Sequence, residues 1–316
     1  MVGELRTERL VVAVLTYRRP ERIAALVPVL LYQAAALARV EGVETSVLVV
    51  DNDAEGTGVA AVAGRGATTV VEPEPGISAA RNRALRVSAD QDVLVFVDDD
   101  EVPHAGWLHA LYTTYRATGS AAVAGPVMSR YETEPEPWVV AGGFYERSHR
   151  VGLRTGATVR SAATNNLLLD LRVVRRAGLE FDPGLGLSGG EDTHFTSMLT
   201  AAGERIVWCA EAVVSDVVPA GRLTRTYLLA RTAGLANVSA RVALMLAPDQ
   251  GRRVAVRARL LSVGLARGAL GALQVVVARV LSDTARDARG RRALARSRGE
   301  LLAVVGRVLL PYARSG

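Results

Sequence analysis

The sequence predicts an α/β fold: a mainly parallel sheet flanked by helices, with a C-terminal helical extension. Three observations predict it. The first half alternates near-continuous apolar runs with helix-like segments, the pattern of strands covered on both faces rather than half-solvated ones. Acids and glycines gather just after the runs end, where open α/β sheets bind ligands. From Leu223 onward the pattern is helical throughout. A chain of 316 residues with 49% hydrophobic content can bury one large core or two smaller ones. The expected division is an α/β body over 1–220, with a regular half to 125 and an irregular half over 126–220, and a helical region over 221–316.

Residues 10–15 form the first apolar run, and Pro20 opens the following helix, its fixed φ and missing N–H suiting the first helical position. Residues 46–50 form the second run, ending in Asp51-Asn52-Asp53-Ala54-Glu55-Gly56. Residues 67–71 form the third, closed by the rigid loop Glu72-Pro73-Glu74-Pro75-Gly76, and Ser78 is a candidate cap for a helix through 79–87. Residues 93–97 form the fourth; Pro103 is expected to start a helix and 121–125 to form a further strand. The middle is less regular. Residues 131–138 read as a long loop and 161–169 as a strand; Asp170 then caps a helix that stops at Gly178. A glycine-rich loop over 181–190 feeds Glu191-Asp192 at the start of a helix ending near Gly203, and 206–210 and 212–214 are short strands.

The helical region breaks at Pro248 and at 283–290. Residues 260–278 are nearly all apolar, interrupted by Arg267 and Gln274. That length just suffices for a bilayer span, but Arg257, Arg259, Arg267 and Arg279 argue against a clean one. An amphipathic helix lying in the membrane interface is the better reading, with 301–310 as a second candidate. An ordinary helical hairpin packed on the body is the alternative.

Charge is unevenly placed: residues 1–220 carry a net −8 and residues 221–316 a net +14, giving the overall +6. All 38 basic residues are arginine, which excludes a lysine Schiff base or a catalytic lysine. The basic region suggests a surface that binds anionic lipid or nucleic acid, or else solvated helix faces. It lacks the interleaved aromatics of a nucleic-acid binder, with only Tyr227 and Tyr312, so no nucleic-acid partner is expected. The single cysteine, Cys209, rules out an internal disulfide framework and fits a reducing compartment. The opening Met1-Val2-Gly3-Glu4-Leu5-Arg6 lacks a signal-peptide layout, so a cytoplasmic location is expected.

The most informative feature is Asp98-Asp99-Asp100-Glu101 at the end of the fourth run. Four successive acids repel one another and cannot be buried uncompensated. They mark either a solvated turn or a cation site. Other stops share the strand-to-helix position: Thr16-Tyr17-Arg18-Arg19-Pro20, Asp51-Asn52-Asp53, Gly76-Ile77-Ser78-Ala79-Ala80-Arg81-Asn82 and Gly189-Gly190-Glu191-Asp192. Each is modest alone; the ordered set is specific.

Over roughly residues 9–225 this set resembles the family 2 glycosyltransferases of GT-A fold, inverting enzymes that use nucleotide-sugar donors. Asp51-Asn52-Asp53-Ala54-Glu55, Ile77-Ser78-Ala79-Ala80-Arg81-Asn82, Gly125-Pro126-Val127 and Ser188-Gly189-Gly190-Glu191-Asp192-Thr193 are most similar to the succinoglycan-type exopolysaccharide glucosyltransferases. The resemblance makes 1–125 the nucleotide-binding half and 126–220 the acceptor half of a catalytic domain. Asp98 and Asp100 would hold Mg2+ or Mn2+, hard cations suited to carboxylates, against the donor diphosphate. Asp99 would also face the donor, although its side chain leaves an extended segment on the other side. Asp51 and Asp53 would meet the base or ribose, Thr16, Tyr17 and Arg18 would line the nucleoside pocket, and Gly76 and Arg81 would lie at the base or phosphates. Asp192 would be the general base that takes the acceptor proton. Trp138, Gly190 and Glu191 are candidate acceptor contacts. The resemblance favours UDP, and a lipid-linked glycan acceptor at the inner face of the plasma membrane would give the basic helices a role.

Structural alternatives stand beside these roles: an Asx turn for Asp51-Asn52-Asp53, pairing of Arg81 with Glu72 or Glu74, and a first-turn helix acid for Asp192. Relatives commonly carry a histidine just before a Val-Pro pair. Here the stretch reads Val214-Ser215-Asp216-Val217-Val218-Pro219, with Ser215 at that position and Asp216 as a candidate substitute. Competing functions are a natural-product glycosyltransferase with a small acceptor, a nucleotidyltransferase and a non-catalytic membrane-associated scaffold. The absence of lysine and of a glycine-rich loop after the first strand disfavours the nucleotidyltransferase.

Overall fold

The computed structural model describes residues 7–146, 150 and 152–309. Met1 to Arg6, Tyr312 and the end of the 301–310 segment lie outside them. The chain forms two compact units: Met1–Met128, Arg150–Gly186 and Glu191–Asp216 make the first, and Ser129–His149, Leu187–Gly190 and Val217–Gly316 the second. Division at residue 220 is therefore not what the packing follows, since 129–149 and 187–190 group with the helical region.

The first unit is built on an eight-stranded sheet. Its strands are β1 (Arg9–Thr16), β2 (Glu44–Asp51), β3 (Thr68–Val71), β4 (Val93–Asp98), β6 (Ala122–Ala124), β8 (Thr158–Val159), β9 (Asn166–Asp170) and β10 (Ile206–Trp208), while β5 (Glu101–Pro103), β7 (Val127–Tyr131) and β11 (Val214–Val218) lie outside this sheet. The order is β3-β2-β1-β4-β9-β6-β10-β8. β3, β2, β1 and β4 run parallel, as do β6 and β10. The sheet is mainly parallel but not wholly so: β9 inserts antiparallel between β4 and β6, and β8 pairs antiparallel with β10. β5 pairs antiparallel with β11, bringing Glu101 opposite Asp216.

The near-continuous apolar runs are explained by burial on both faces. Leu10, Val12 and Val14 of β1 join one core, with Ile23, Leu30 and Trp107 from the helices over that face. Val11 and Ala13 point to the other, with Phe96, Phe181 and Phe195. The first helix, α1 (Pro20–Glu41), starts at Pro20 as expected and turns Ile23, Val27, Leu30, Ala34 and Leu37 onto the sheet at helical spacing.

Several boundaries differ from expectation for local reasons. A short helix, α2 (Thr57–Val62), carries no strong periodicity; the Asp51 carboxylate, accepting from the Gly58 and Val59 N–H groups, organises it from outside. α3 (Ile77–Val87) begins after Gly76, and Ser78 does not cap it but donates its hydroxyl to the Asp182 carbonyl at 2.8 Å. Pro103 ends β5 instead of starting a helix; α4 (Trp107–Thr118) follows Gly106, and the Trp107 indole donates to Asn166 at 2.8 Å. The strand expected over 161–169 is β9, which begins only at Asn166. Asp170 does cap α6 (Leu171–Arg176), accepting from the Arg172 and Val173 N–H groups. The glycine-rich loop leads into α7 (Glu191–Ala201).

In the second unit, α5 (Pro137–Gly142) replaces the end of the expected 131–138 loop. It is accompanied by α8 (Arg225–Met245), α9 (Gln250–Leu281) and α10 (Thr284–Val304). Thr224, Asp249 and Asp283 cap the last three through their side chains. The break expected over 283–290 is confined to Ser282 and Asp283. Gly290 lies inside α10, where a Cβ would sit 2.9 Å from the Gly271 carbonyl of α9. α10 also packs on α8, where the Asn237 amide donates to the Gly299 carbonyl at 3.1 Å.

Candidate active site

The site lies at the C-terminal ends of β1, β2 and β4 and the start of α7, all in the first unit. At the end of β2, Asp51 is fully buried. Its Oδ2 accepts from the Gly58 N–H at 2.6 Å and the Val59 N–H at 3.1 Å, and its Oδ1 from the Asp53 N–H at 3.1 Å. This carboxylate holds the loop and the start of α2. A Cβ at Gly58 would press within 3.0 Å of that same oxygen, so the close approach needs glycine. Asp53 is buried too. Burial alone would raise its pKa, but the Thr57 hydroxyl, the Glu55 N–H and the Arg18 guanidinium together hold it below the usual carboxylate range.

Arg18 has φ 52, a left-handed conformation uncommon for a side-chain-bearing residue. Its guanidinium lies 3.5 Å from Asp53 and 5.3 Å from the centre of the Tyr17 ring. Tyr17 and Arg18 keep solvent-accessible surface. Thr16 is buried and donates its hydroxyl to Asp99 at 2.8 Å. Asn52 knits the next loop, donating to the Glu72 carbonyl at 2.9 Å and accepting from the Gly76 N–H at 3.0 Å. Gly76 itself has φ 124, which strongly favours glycine.

The acids after β4 have different surroundings. Asp99 is engaged within the protein: Thr16 donates to one oxygen and Arg19 to the other at 2.6 Å. Burial, opposed by Arg19 and Thr16, leaves its pKa raised. Asp98 is pushed up to about 7, by burial first, against the pull of Arg81, and then by Asp100, Asp99 and Asp192. Asp100 is more open and has Arg19 at 3.4 Å and Arg22 at 3.7 Å. Glu101 is buried and accepts from the Asp98 N–H at 3.3 Å and from Asn165. Arg19, Asn52 and Glu101 lie in the marked runs but carry no assigned role there, and Arg22 lies just outside them. The signal that could have found the arginines is charge: of the three in Arg18-Arg19-Pro20-Glu21-Arg22, Arg19 and Arg22 meet the acidic run and Arg18 meets Asp53.

Arg81 is buried and ion-paired with Glu191, not with Glu72 or Glu74; Arg86 takes Glu72 at 3.1 Å. The Arg81 guanidinium also lies 5.6 Å over Phe181, which stacks on Phe195 at 4.2 Å. Burial opposes its charge, but Glu191, Asp98 and Asp192 leave its pKa raised. Glu191 is pushed up by burial, against the attraction of Arg81, and its Oε2 is buried without a hydrogen-bond partner. Asp192 follows it in the first turn of α7, partly exposed, with Oδ1 accepting the Thr193 N–H.

Among the described residues no three His, Cys, Asp or Glu side chains form a metal-ligating group. Asp98 and Asp100 still fit a hard divalent cation as a pair. Burial first, and then repulsion from neighbouring carboxylates, makes ionised Asp98 costly, and a cation would lower that cost. Ser215, at the position expected to hold histidine, meets one from elsewhere: His104 Nε2 lies 2.7 Å from its hydroxyl. Asp216 beside it has a buried Oδ1 with no hydrogen-bond partner.

Two acceptor candidates fall in the second unit and are corrected. Trp138 is 1% exposed, stacked on Phe144 at 5.0 Å, and its indole donates to Asp287 at 2.9 Å. No face is open for a sugar. Gly190 has φ 95, and a Cβ there would sit 2.5 Å from Val238 of α8. Its small size serves helix packing. Glu191 faces Arg81 and not an acceptor surface.

Residues 11–166 match glycosyl transferase family 2. The chain is 35% identical over 226 residues, 70% of each protein, to succinoglycan biosynthesis protein ExoM of Rhizobium meliloti (strain 1021). Its fold is similar to the crystal structure of S. aureus TarS, with a TM-score of 0.50 at 14% identity, covering 79% of this chain and 41% of TarS. With the sequence likeness extending beyond the matched segment and the GT-A-like sheet beneath it, the chain belongs to glycosyl transferase family 2 and is a glycosyltransferase.

Proposed function

We propose that this glycosyltransferase moves a sugar from a nucleoside diphosphate donor, UDP in first place, to a hydroxyl of a glycan or lipid-linked acceptor, with inversion. The observation that supports this most is the convergence of Arg81, Asp98, Glu191 and Asp192, residues 111 positions apart at the extremes, on one electrostatic cluster. Mg2+ or Mn2+, when bound, would neutralise charge on the departing diphosphate. Asp98 and Asp100 are the residues to hold it. Arg19 and Arg22 at Asp100, and Arg18 at the mouth of the site, add cationic surface for an anionic donor. Arg81 keeps Glu191 in place and so fixes the first turn of α7. Asp192 then takes the proton of the acceptor hydroxyl as that oxygen attacks the anomeric carbon from the face opposite the diphosphate.

The relative's part in succinoglycan biosynthesis supports a polysaccharide acceptor. A cytoplasmic position at the inner face of the plasma membrane would then give access to both nucleotide-sugar and lipid-linked glycan. Calorimetric titration of UDP, GDP and dTDP, with and without Mn2+, tests the donor assignment. UDP binding is expected only with the metal, and Asp100→Ala is expected to weaken it at least tenfold. Equal binding without metal, or an Asp100→Ala protein that binds like the wild type, would remove Asp100 from the metal site.

A further inference from the structure

Among the described residues two helices are long and apolar enough to cross a bilayer, α1 and α9. α1 buries its apolar stripe on the sheet. α9 does not. Of its 32 residues only Gly264, Gly271 and Ala278 are buried, and these small residues form a seam against α10. On its outward sides Leu261, Leu265, Leu270, Leu273, Val276 and Val280 are all exposed, Leu273 and Val276 at 59% and Val280 at 79%. Soluble monomers rarely leave so continuous an apolar strip uncovered. Between residues 261 and 278 the sole charge is Arg267, and it is ion-paired with Glu300 of α10.

The partner is indicated by charge. Residues 250–309 hold thirteen arginines and three acids. Arg252, Arg253, Arg257 and Arg259 precede the apolar stretch 260–278, and Arg279 follows it. A cleft of about 310 Å³ lies between the two helices, lined by Leu273, Gln274 and Val277 of α9 and by Arg286 and Arg289 of α10. Arg286 is shared with Asp283 at 3.5 Å, and the Arg289 Nε donates to the Ala285 carbonyl at 3.2 Å. Apolar wall and paired guanidinium groups together match a phosphate headgroup above its acyl chains.

We infer that α9 lies in the plane of an anionic bilayer, its apolar face among the acyl chains, with a lipid phosphate seated at Arg286 and Arg289. A span across the bilayer is excluded by the neighbour: α10 runs alongside, Gly264 meeting Leu301 and Gly271 meeting Gly290, and would carry Arg289, Arg291, Arg292, Arg296 and Arg298 into hydrocarbon. In-plane binding keeps those arginines out of the hydrocarbon, including Arg291 on Asp287 and Arg292 on the Gly142 carbonyl. This deepens the placement at the membrane proposed above, yet uses the second unit alone and is tested without any transfer assay.

The test is flotation of the full chain with vesicles of phosphatidylcholine, with and without phosphatidylglycerol. Binding is expected to be at least tenfold stronger with the anionic lipid. The double substitution Arg286→Ala/Arg289→Ala should remove about tenfold of that preference, and Leu273→Asp/Val276→Asp should abolish binding to both vesicles, each with an unchanged thermal melt. Both pairs are exposed or line a surface cleft, so folding is expected to survive. Equal binding to neutral and anionic vesicles would overturn the headgroup site. Displacement by inorganic phosphate at matched ionic strength would reassign the cleft to free phosphate. Vesicle binding absent, with a dimer that Leu273→Asp/Val276→Asp converts to monomer, would make the strip an interface between copies and end the proposal.

Discussion

Asp192→Asn is expected to lower kcat for sugar transfer by about 10²- to 10⁴-fold, the range associated with a positioned general base. The substitution keeps the size of the side chain and an acceptor oxygen for the Thr193 N–H, so α7 should start as it does now. What it removes is the capacity to take a proton. Because the residues proposed to hold the donor and its metal follow β1 and β4 and not α7, UDP affinity should change by less than about twofold, and the loss should appear in kcat and not in KM. Glu191→Gln is the informative neighbour. Glu191 is buried on Arg81 and has no exposed route to an acceptor, so its loss acts through the position of α7. A fall below tenfold for Asp192→Asn, with a larger fall for Glu191→Gln, would transfer the base to Glu191.

Arg81→Leu is expected to cost about 3–5 kcal/mol of stability, the range for removing one partner of a buried ion pair. Both partners are buried, so the surviving carboxylate cannot be rescued by water. Arg81 also faces Asp98 and Asp192, which makes its loss worse than that of an isolated pair. Urea denaturation followed by circular dichroism measures the cost as a fall in midpoint. The double substitution Arg81→Leu/Glu191→Leu should recover much of it, because two apolar side chains replace a pair that was expensive to desolvate. A single-mutant cost below about 1 kcal/mol would mean that solvent reaches the pair, contrary to the burial of both residues.

How far the sequence could be read follows from the range of the forces involved. Burial on both sheet faces leaves a local trace, because residues 10–15 of β1 and 93–97 of β4 are then all apolar, and so the parallel strands and the acids ending them were legible. Pro20 opening α1 and Asp170 capping α6 were legible for the same reason: each acts on the residues beside it. Strand direction leaves no such trace. Leu167, Leu168 and Leu169 are as apolar as a parallel strand, and only their pairing with both β4 and β6 makes β9 antiparallel. α2 was missed because its organiser, Asp51, acts from another element. The same distance effect hides the partners of individual side chains. Asp51, Thr16 and Asp99 are polar residues at strand ends and look ligand-facing, yet each is engaged within the protein. Trp138 and Gly190 sit in polar or glycine-rich segments, and only packing with Asp287 and Val238 decides their roles. Arg81 with Glu191 could be found only in three dimensions, since 110 residues separate them.

The most direct test of the central claim is proton NMR of the first-formed sugar product with α-linked nucleotide sugars, in the presence of Mg2+ or Mn2+. A family of UDP-sugars is tried first, with water or a short glycan as acceptor. An enzyme that attacks once, opposite the diphosphate, with Asp192 taking the acceptor proton, must release the β anomer first, and Asp192→Asn must suppress it. A first-formed α anomer would contradict single displacement. A β product formed at the wild-type rate by Asp192→Asn would contradict the assigned base.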